Sequence, residues 1–133
     1  MPTQFSDDAK ALINQKNFAH LATLMPDGTP QVTPVWIDID GDTLRINSAE
    51  GRLKVTNLRR DPRVGVEVSD AANPYAYVSV RGRVTEMTHE GADQHIDSLA
   101  KKYMDVDSYP LRTPDEQRVI ITIEPERVSV WGV

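Results

Sequence analysis

The sequence has no cysteine, which excludes disulfides, thiolate metal ligands and a cysteine nucleophile and accords with a reducing interior. No apolar run reaches the length that spans a bilayer. The opening residues, Met1 to Asp8, lack the basic and apolar regions of a signal peptide. The expectation is a cytoplasmic protein with no membrane contact. Positive charge is also short: 15 Lys and Arg against 20 Asp and Glu give a net charge of -5, which argues against a general nucleic-acid binder.

Catalytic signatures are missing too. There is no His-Glu-x-x-His, Walker loop, Gly-x-Gly-x-x-Gly or Gly-x-Ser-x-Gly. The three histidines, His20, His89 and His95, do not pair at metal-ligand spacing, so no metal is expected. His20 reads as a packed or rim histidine, and His89 and His95 as the exposed side of a helix start. Asp7-Asp8 and Asp38-Asp40 fall at a helix cap and a turn, where their local roles explain them. Hydrolytic chemistry has little support, but a chain without a triad or metal set can still be a reductase if a cofactor brings the chemistry.

What is present is one domain of 133 residues, 39% hydrophobic and 26% charged. Ser6-Asp7-Asp8 predicts a helix start, with Ala9, Leu12 and Ile13 as its apolar stripe and an end near Asn17. Phe18 to Met25 reads as a strand and Pro26-Asp27-Gly28 as a turn. A second strand is expected from Pro30 to Ile39, with Gln31, Thr33, Val35, Ile37 and Ile39 on one side. Asp40-Gly41-Asp42 turns into a third strand, Thr43 to Asn47, with Leu44 and Ile46 facing in. Val64 to Val68 alternates as a fourth strand, and Asp70 to Pro74 reads as a loop. In a long fifth strand, Tyr75 to Met87, Ala76, Val78, Val80, Gly82 and Val84 oppose Tyr75, Tyr77, Ser79, Arg81, Arg83 and Thr85. The polar and aromatic face suits a solvated sheet face, a planar anionic ligand or a subunit interface. Helical spacing follows from Thr88 to Met104, and a last strand from Arg118 is interrupted at Pro125. The sum is a mainly β domain, a six-stranded antiparallel closed or split β-barrel with flanking helices.

The stretch from Ile46 to Pro62 reads as a strand end, a small polar turn and one short helix. Arg59 and Arg60 lie in its last turn, where the helix dipole favours cations. Arg52 and Lys54 lie in its first turn, against the dipole. With Ser48 and uncapped amide hydrogens nearby, they make either a phosphate or carboxylate seat or a solvated helix start with two misplaced charges.

Three segments carry a family resemblance, in order, from about Phe5 to Trp131. Leu21-Ala22-Thr23 with Asp27-Gly28-Thr29-Pro30-Gln31-Val32 is similar to the first hairpin of the flavin/deazaflavin split-barrel proteins, the pyridoxamine-phosphate-oxidase-like family. Ala49-Glu50-Gly51-Arg52-Leu53-Lys54 with Asn57-Leu58-Arg59-Arg60-Asp61-Pro62-Arg63-Val64 resembles its phosphate-binding segment, and Tyr75 to Gly82 its long strand. Within the family the chain looks most like the short branch that uses the deazaflavin F420, with FMN as the alternative cofactor.

The resemblance implies a homodimer with the cofactor in a groove between two barrels. It implies that Ser48, Arg52 and Lys54 hold the phosphate, that Gln31, Thr33 and Val35 lie along the ring system, and that Tyr75 and Tyr77 reach in from the partner subunit. Pro34 departs from a polar residue found in some relatives, and Arg81 replaces a common acid, which leaves the substrate pocket open. The implied activity is hydride transfer from reduced F420 to an electron-poor small molecule such as an activated alkene, a quinone or a tetrapyrrole. An FMN oxidoreductase and a cofactor carrier with little turnover are the alternatives. No residue stands out as a general acid, so catalytic residues are not assigned.

Overall fold

A computed structural model describes residues 4–133. Its strands are β1 (Ala19–Leu24), β2 (Pro30–Val35), β3 (Asp38–Asp40), β4 (Thr43–Ala49), β5 (Arg63–Asp70), β6 (Asn73–Thr88) and β7 (Arg118–Trp131). They form one antiparallel sheet in the order β2-β1-β5-β6-β7-β4-β3. Three helices flank it: α1 (Asp7–Asn14), α2 (Leu53–Arg60) and α3 (Ala92–Met104). The inward faces of the strands meet in one core that includes Leu21, Leu44, Ile46, Val66, Val78 and Ile121, as the period-2 pattern requires. On β6 the faces divide as expected: Ala76, Val78, Val80 and Gly82 are buried while Arg81 and Arg83 are exposed.

The sheet has seven strands among the described residues instead of six, because the expected strand from Pro30 to Ile39 breaks in two. β2 pairs with β1 at one edge of the sheet and β3 with β4 at the other. Trp36 and Ile37 cross between them. A backbone that leaves a ladder must find other partners, and Ile37 finds them on α3. Its N–H donates to the Tyr103 hydroxyl at 3.2 Å, and its carbonyl accepts from Lys102 Nζ at 2.7 Å.

Other boundaries also move. Asp70 to Pro74 is not a long loop: Asp70 pairs with Asn73, leaving Ala71 and Ala72 as the turn. Asp70 Oδ1 accepts the Ala72 N–H, which explains the tightness without a glycine. β6 continues to Thr88, and α3 begins only at Ala92, after Gly91 in the left-handed region at φ 75°. β7 is not interrupted at Pro125. The register with β6 slips there, Arg81 facing Arg127 and Gly82 facing Pro125, so the proline sits at a bulge. At the first helix, Ser6 accepts the Ala9 N–H at 3.2 Å as expected, although α1 ends at Asn14.

α2 packs on β1, and α3 packs on β4 and β7. A second apolar cluster beneath α3 joins Ile96, Leu99 and Tyr103 to Trp36 and Tyr109. Where this cluster meets the start of α2, the surface opens.

Candidate functional site

A cleft of about 240 Å³ opens between β2, the end of β4, the start of α2, and α3 with the segment that follows it. Its walls are Phe18, Pro34, Val35, Trp36, Asn47, Ser48, Arg52, Lys54, Ile96, Tyr109, Leu111 and Arg118.

One wall is cationic. Gly51, at φ 92°, turns the chain out of β4 so that Arg52 becomes the N-cap of α2 and Lys54 falls in its first turn. No side chain caps this helix and no acid occupies its first turn, so its leading amide hydrogens and positive dipole end remain available to an anion. Arg118, at the start of β7, is buried and adds a third positive charge. Burial lowers the Lys54 pKa from its ordinary value, and the charges of Arg52 and Arg118 lower it further. Ser48 is buried on β4, and its position opposite Val119 places it on the same wall.

The opposite wall is aromatic. Trp36 stacks on Tyr103 with centroids 5.2 Å apart and planes 5° apart, and Tyr109 meets Trp36 edge-on at 6.0 Å. Phe18 stacks on the other side of this group, 5.5 Å from Tyr103. Phe18 and Leu111 remain 54% and 67% exposed at the rim, apolar surface of the kind that marks a binding groove. The Arg118 guanidinium lies 5.2 Å from the Tyr109 ring and links the two walls.

Behind the cleft runs a polar chain. Arg45 forks onto Asp38, with Nε and Nη2 at 3.0 and 2.9 Å. Asp38 Oδ2 lies 3.1 Å from His95 Nε2. His95 Nδ1 lies 3.1 Å from Asn47 Nδ2, and Asn47 Oδ1 accepts from Arg118 Nε at 2.8 Å. Burial raises the Asp38 pKa, but the hydrogen bonds from His95 and Arg45, with the charge of Arg45, outweigh it and leave the carboxyl below its usual value. His95 is therefore not on the exposed side of a helix start. It is 5% exposed, on the inner face of α3. His89 precedes the helix, exposed, and pairs with Glu50 at 2.9 Å, while His20 pairs with Glu67 on the sheet surface at 3.2 Å.

Of the residues singled out from sequence, Val35, Ser48, Arg52 and Lys54 share the cleft. Gln31 and Thr33 lie farther along β2 on Val35's side. Gln31 Oε1 accepts from Thr23 at 3.1 Å, and Thr33 Oγ1 is buried with no partner among the described residues. Tyr75 and Tyr77 lie on β6 outside the cleft, Tyr75 being 80% exposed. Sequence reading missed Trp36, Asn47, Tyr109 and Arg118. Arg118 had a local signal, a cation opening an apolar strand, but its neighbours come from distant segments.

The model of the pyridoxamine 5'-phosphate oxidase family matches residues 5–132. The chain belongs to this family. Among its relatives is the F420H(2)-dependent biliverdin reductase of Mycobacterium tuberculosis (strain CDC 1551 / Oshkosh), 28% identical over 95% of this chain and 88% of that protein. A solved F420 reductase superposes with a TM-score of 0.82 at 33% identity, over 94% of this chain and 98% of that one. General Stress Protein 26 from Bacillus anthracis shares the fold alone, at TM-score 0.72 and 17% identity, over 94% and 92% of the two chains. The cleft of this pyridoxamine 5'-phosphate oxidase family member thus lies in a domain whose relatives include two proteins named for F420.

Proposed function

We propose that the protein is an F420-dependent oxidoreductase that reduces an electron-poor small organic molecule. The observation that carries this reading is the pairing of two unlike walls in one cleft: Arg52, Lys54 and Arg118 on one side, Trp36 and Tyr109 on the other. The residues fit a cofactor that joins a phosphate to a flat ring system. Arg52, Lys54, Ser48 and the uncapped start of α2 would hold the phosphate, and Val35 with the aromatic wall would flank the rings. F420, when bound in reduced form, supplies the hydride. The chain's own residues bind, orient and exclude water: the cations fix the anionic tail, and the apolar rim formed by Phe18 and Leu111 shields the ring end.

The same reading makes the protein a cytoplasmic homodimer with Tyr75 and Tyr77 reaching the partner's cleft. Tyr77 faces Trp131 across the β6–β7 ladder, and the exposed Tyr75, two residues along the same face, extends an aromatic strip with them suited to a subunit contact. Sedimentation should give the mass of two chains. A monomer at micromolar concentration would remove these two tyrosines from the site.

FMN also carries a phosphate and a tricyclic ring and is the alternative occupant. Turnover tests the activity itself: reduced F420 should be reoxidised by at least one member of a panel of activated alkenes, quinones and tetrapyrroles. Tight F420 binding without reoxidation across that panel would make the protein a carrier.

A further inference from the structure

Asn47 donates twice, to the Ala92 carbonyl at 2.8 Å and toward His95 Nδ1 at 3.1 Å. With both amide hydrogens committed, its oxygen is left for Arg118 Nε. Turning the amide over would set its oxygen against the Ala92 carbonyl and its hydrogens against the Arg118 N–H. The hydrogen-bond direction is set one step farther back. The Asp38 carboxylate, held by Arg45, accepts and does not donate, so His95 carries its proton on Nε2 and offers the lone pair on Nδ1. Reversal at any member would set donor against donor or acceptor against acceptor.

Arg118 is the end of this chain that lines the cleft. Its Nε is held by Asn47 and its Nη1 by Glu116 at 2.5 Å, while Nη2 has no hydrogen-bond partner among the described residues. The guanidinium is thus fixed on two sides with one nitrogen left over.

We propose that His95 is a positioning residue for the cleft: locked in one tautomer by Asp38, it orients Asn47 so that Arg118 is held with Nη2 directed to the occupant. The inference deepens the site assigned above and rests on that cleft being the binding site, but its first test needs no ligand. Nitrogen-15 NMR of the free protein should show His95 protonated at Nε2 and unprotonated at Nδ1. The Arg118 Nε–H should exchange slowly, and its protection should fall by about tenfold or more in His95→Phe. It should be retained in His95→Gln, whose amide offers an acceptor and a donor in one plane. The Nδ1–H tautomer, or Arg118 protection unchanged in folded His95→Phe, would overturn the proposal.

The second test is a coupling. His95→Phe should weaken F420 binding by about tenfold, and that loss should vanish in an Arg118→Met background. An equal loss with and without Arg118 would mean that His95 acts on the fold generally, and would overturn the assignment. A protein that passes the NMR test yet binds no F420 supports the relay while removing the cofactor reading.

Discussion

Arg59 closes on Glu50 across the turn that carries Arg52, whereas Arg52, at the other end of the same helix, meets no carboxylate among the described residues. Glu50 accepts from His89 as well, so the acid nearest the turn is already engaged. The basic run therefore has two kinds of member. Arg59 and Arg60 satisfy the C-terminal end of α2, with Arg60 also donating to the Leu24 carbonyl, while Arg52 and Lys54 pair with no carboxylate among the described residues and, in the function proposed above, grip the cofactor's phosphate. Replacing Arg52 and Lys54 together by Ala should weaken cofactor binding by more than about tenfold. Arg59→Ala should change it by less than about twofold, as expected for an exposed ion pair. Calorimetric titration of both variants would show the contrast, and equal losses would contradict it.

Asn57 ties this helix to the sheet. Its Nδ2 donates to Thr23 Oγ1 at 3.1 Å, and Thr23 donates onward to Gln31 Oε1 at 3.1 Å; Asn57 and Thr23 are 1% and 0% exposed. Asn57→Ala leaves a buried hydroxyl without a donor and should cost about 2 kcal/mol in denaturant unfolding. A loss below about 0.5 kcal/mol would show that the chain of hydrogen bonds does not anchor α2.

Gly82 marks a close approach of β6 to β7 beside the bulge at Pro125. A Cβ there would lie 2.4 Å from the Glu124 carbonyl oxygen, whereas at Gly65 the nearest atom is Ala22 Cβ at 3.6 Å. Gly82→Ala should therefore destabilise by about 2 kcal/mol or more, and Gly65→Ala by less than about 1 kcal/mol. Thermal melts of the two variants give the comparison, and equal shifts would contradict it.

Tyr103 sits under the cleft, with its hydroxyl donating to the Asn17 carbonyl at 2.6 Å and accepting from the Ile37 N–H. Burial pushes its pKa from 10.0 up to about 12; the Asp38 charge adds to the rise, and a hydrogen bond with Ile37 works against it. A raised folded pKa disfavours the phenolate in the native state, so the stability it contributes is complete below pH 10 and is lost as pH rises through about 12. Ultraviolet titration of the wild type minus Tyr103→Phe should show one phenolate step near pH 12. A step at the ordinary tyrosine value would contradict the buried placement.

Much of the fold is legible in alternation alone. The face of β6 that buries Ala76, Val78 and Val80 follows from period 2, as do Leu44 and Ile46 on β4. The break at Trp36 and Ile37 is not legible, because Ile37 leaves the ladder only when Tyr103 and Lys102, more than sixty residues away, accept and donate to its backbone. The candidate site divides the same way. Arg52 and Lys54 betray themselves by standing against a helix dipole, a local rule. His95 and Arg118 acquire their roles only when Asp38 and Asn47 from other strands close around them. Helical spacing sets His95 beside Ala92 and Leu99 on the buried face of α3, but nothing along the helix names the partners it meets there.

The central claim is that the cleft between the cations and the Trp36–Tyr109 wall holds F420. Titration of the purified protein with F420 and with FMN, followed by fluorescence quenching, tests it most directly. The account predicts saturable F420 binding that is lost in the Arg52→Ala, Lys54→Ala double variant. Tight FMN binding with no response to F420, or F420 affinity unchanged in that variant, would contradict it.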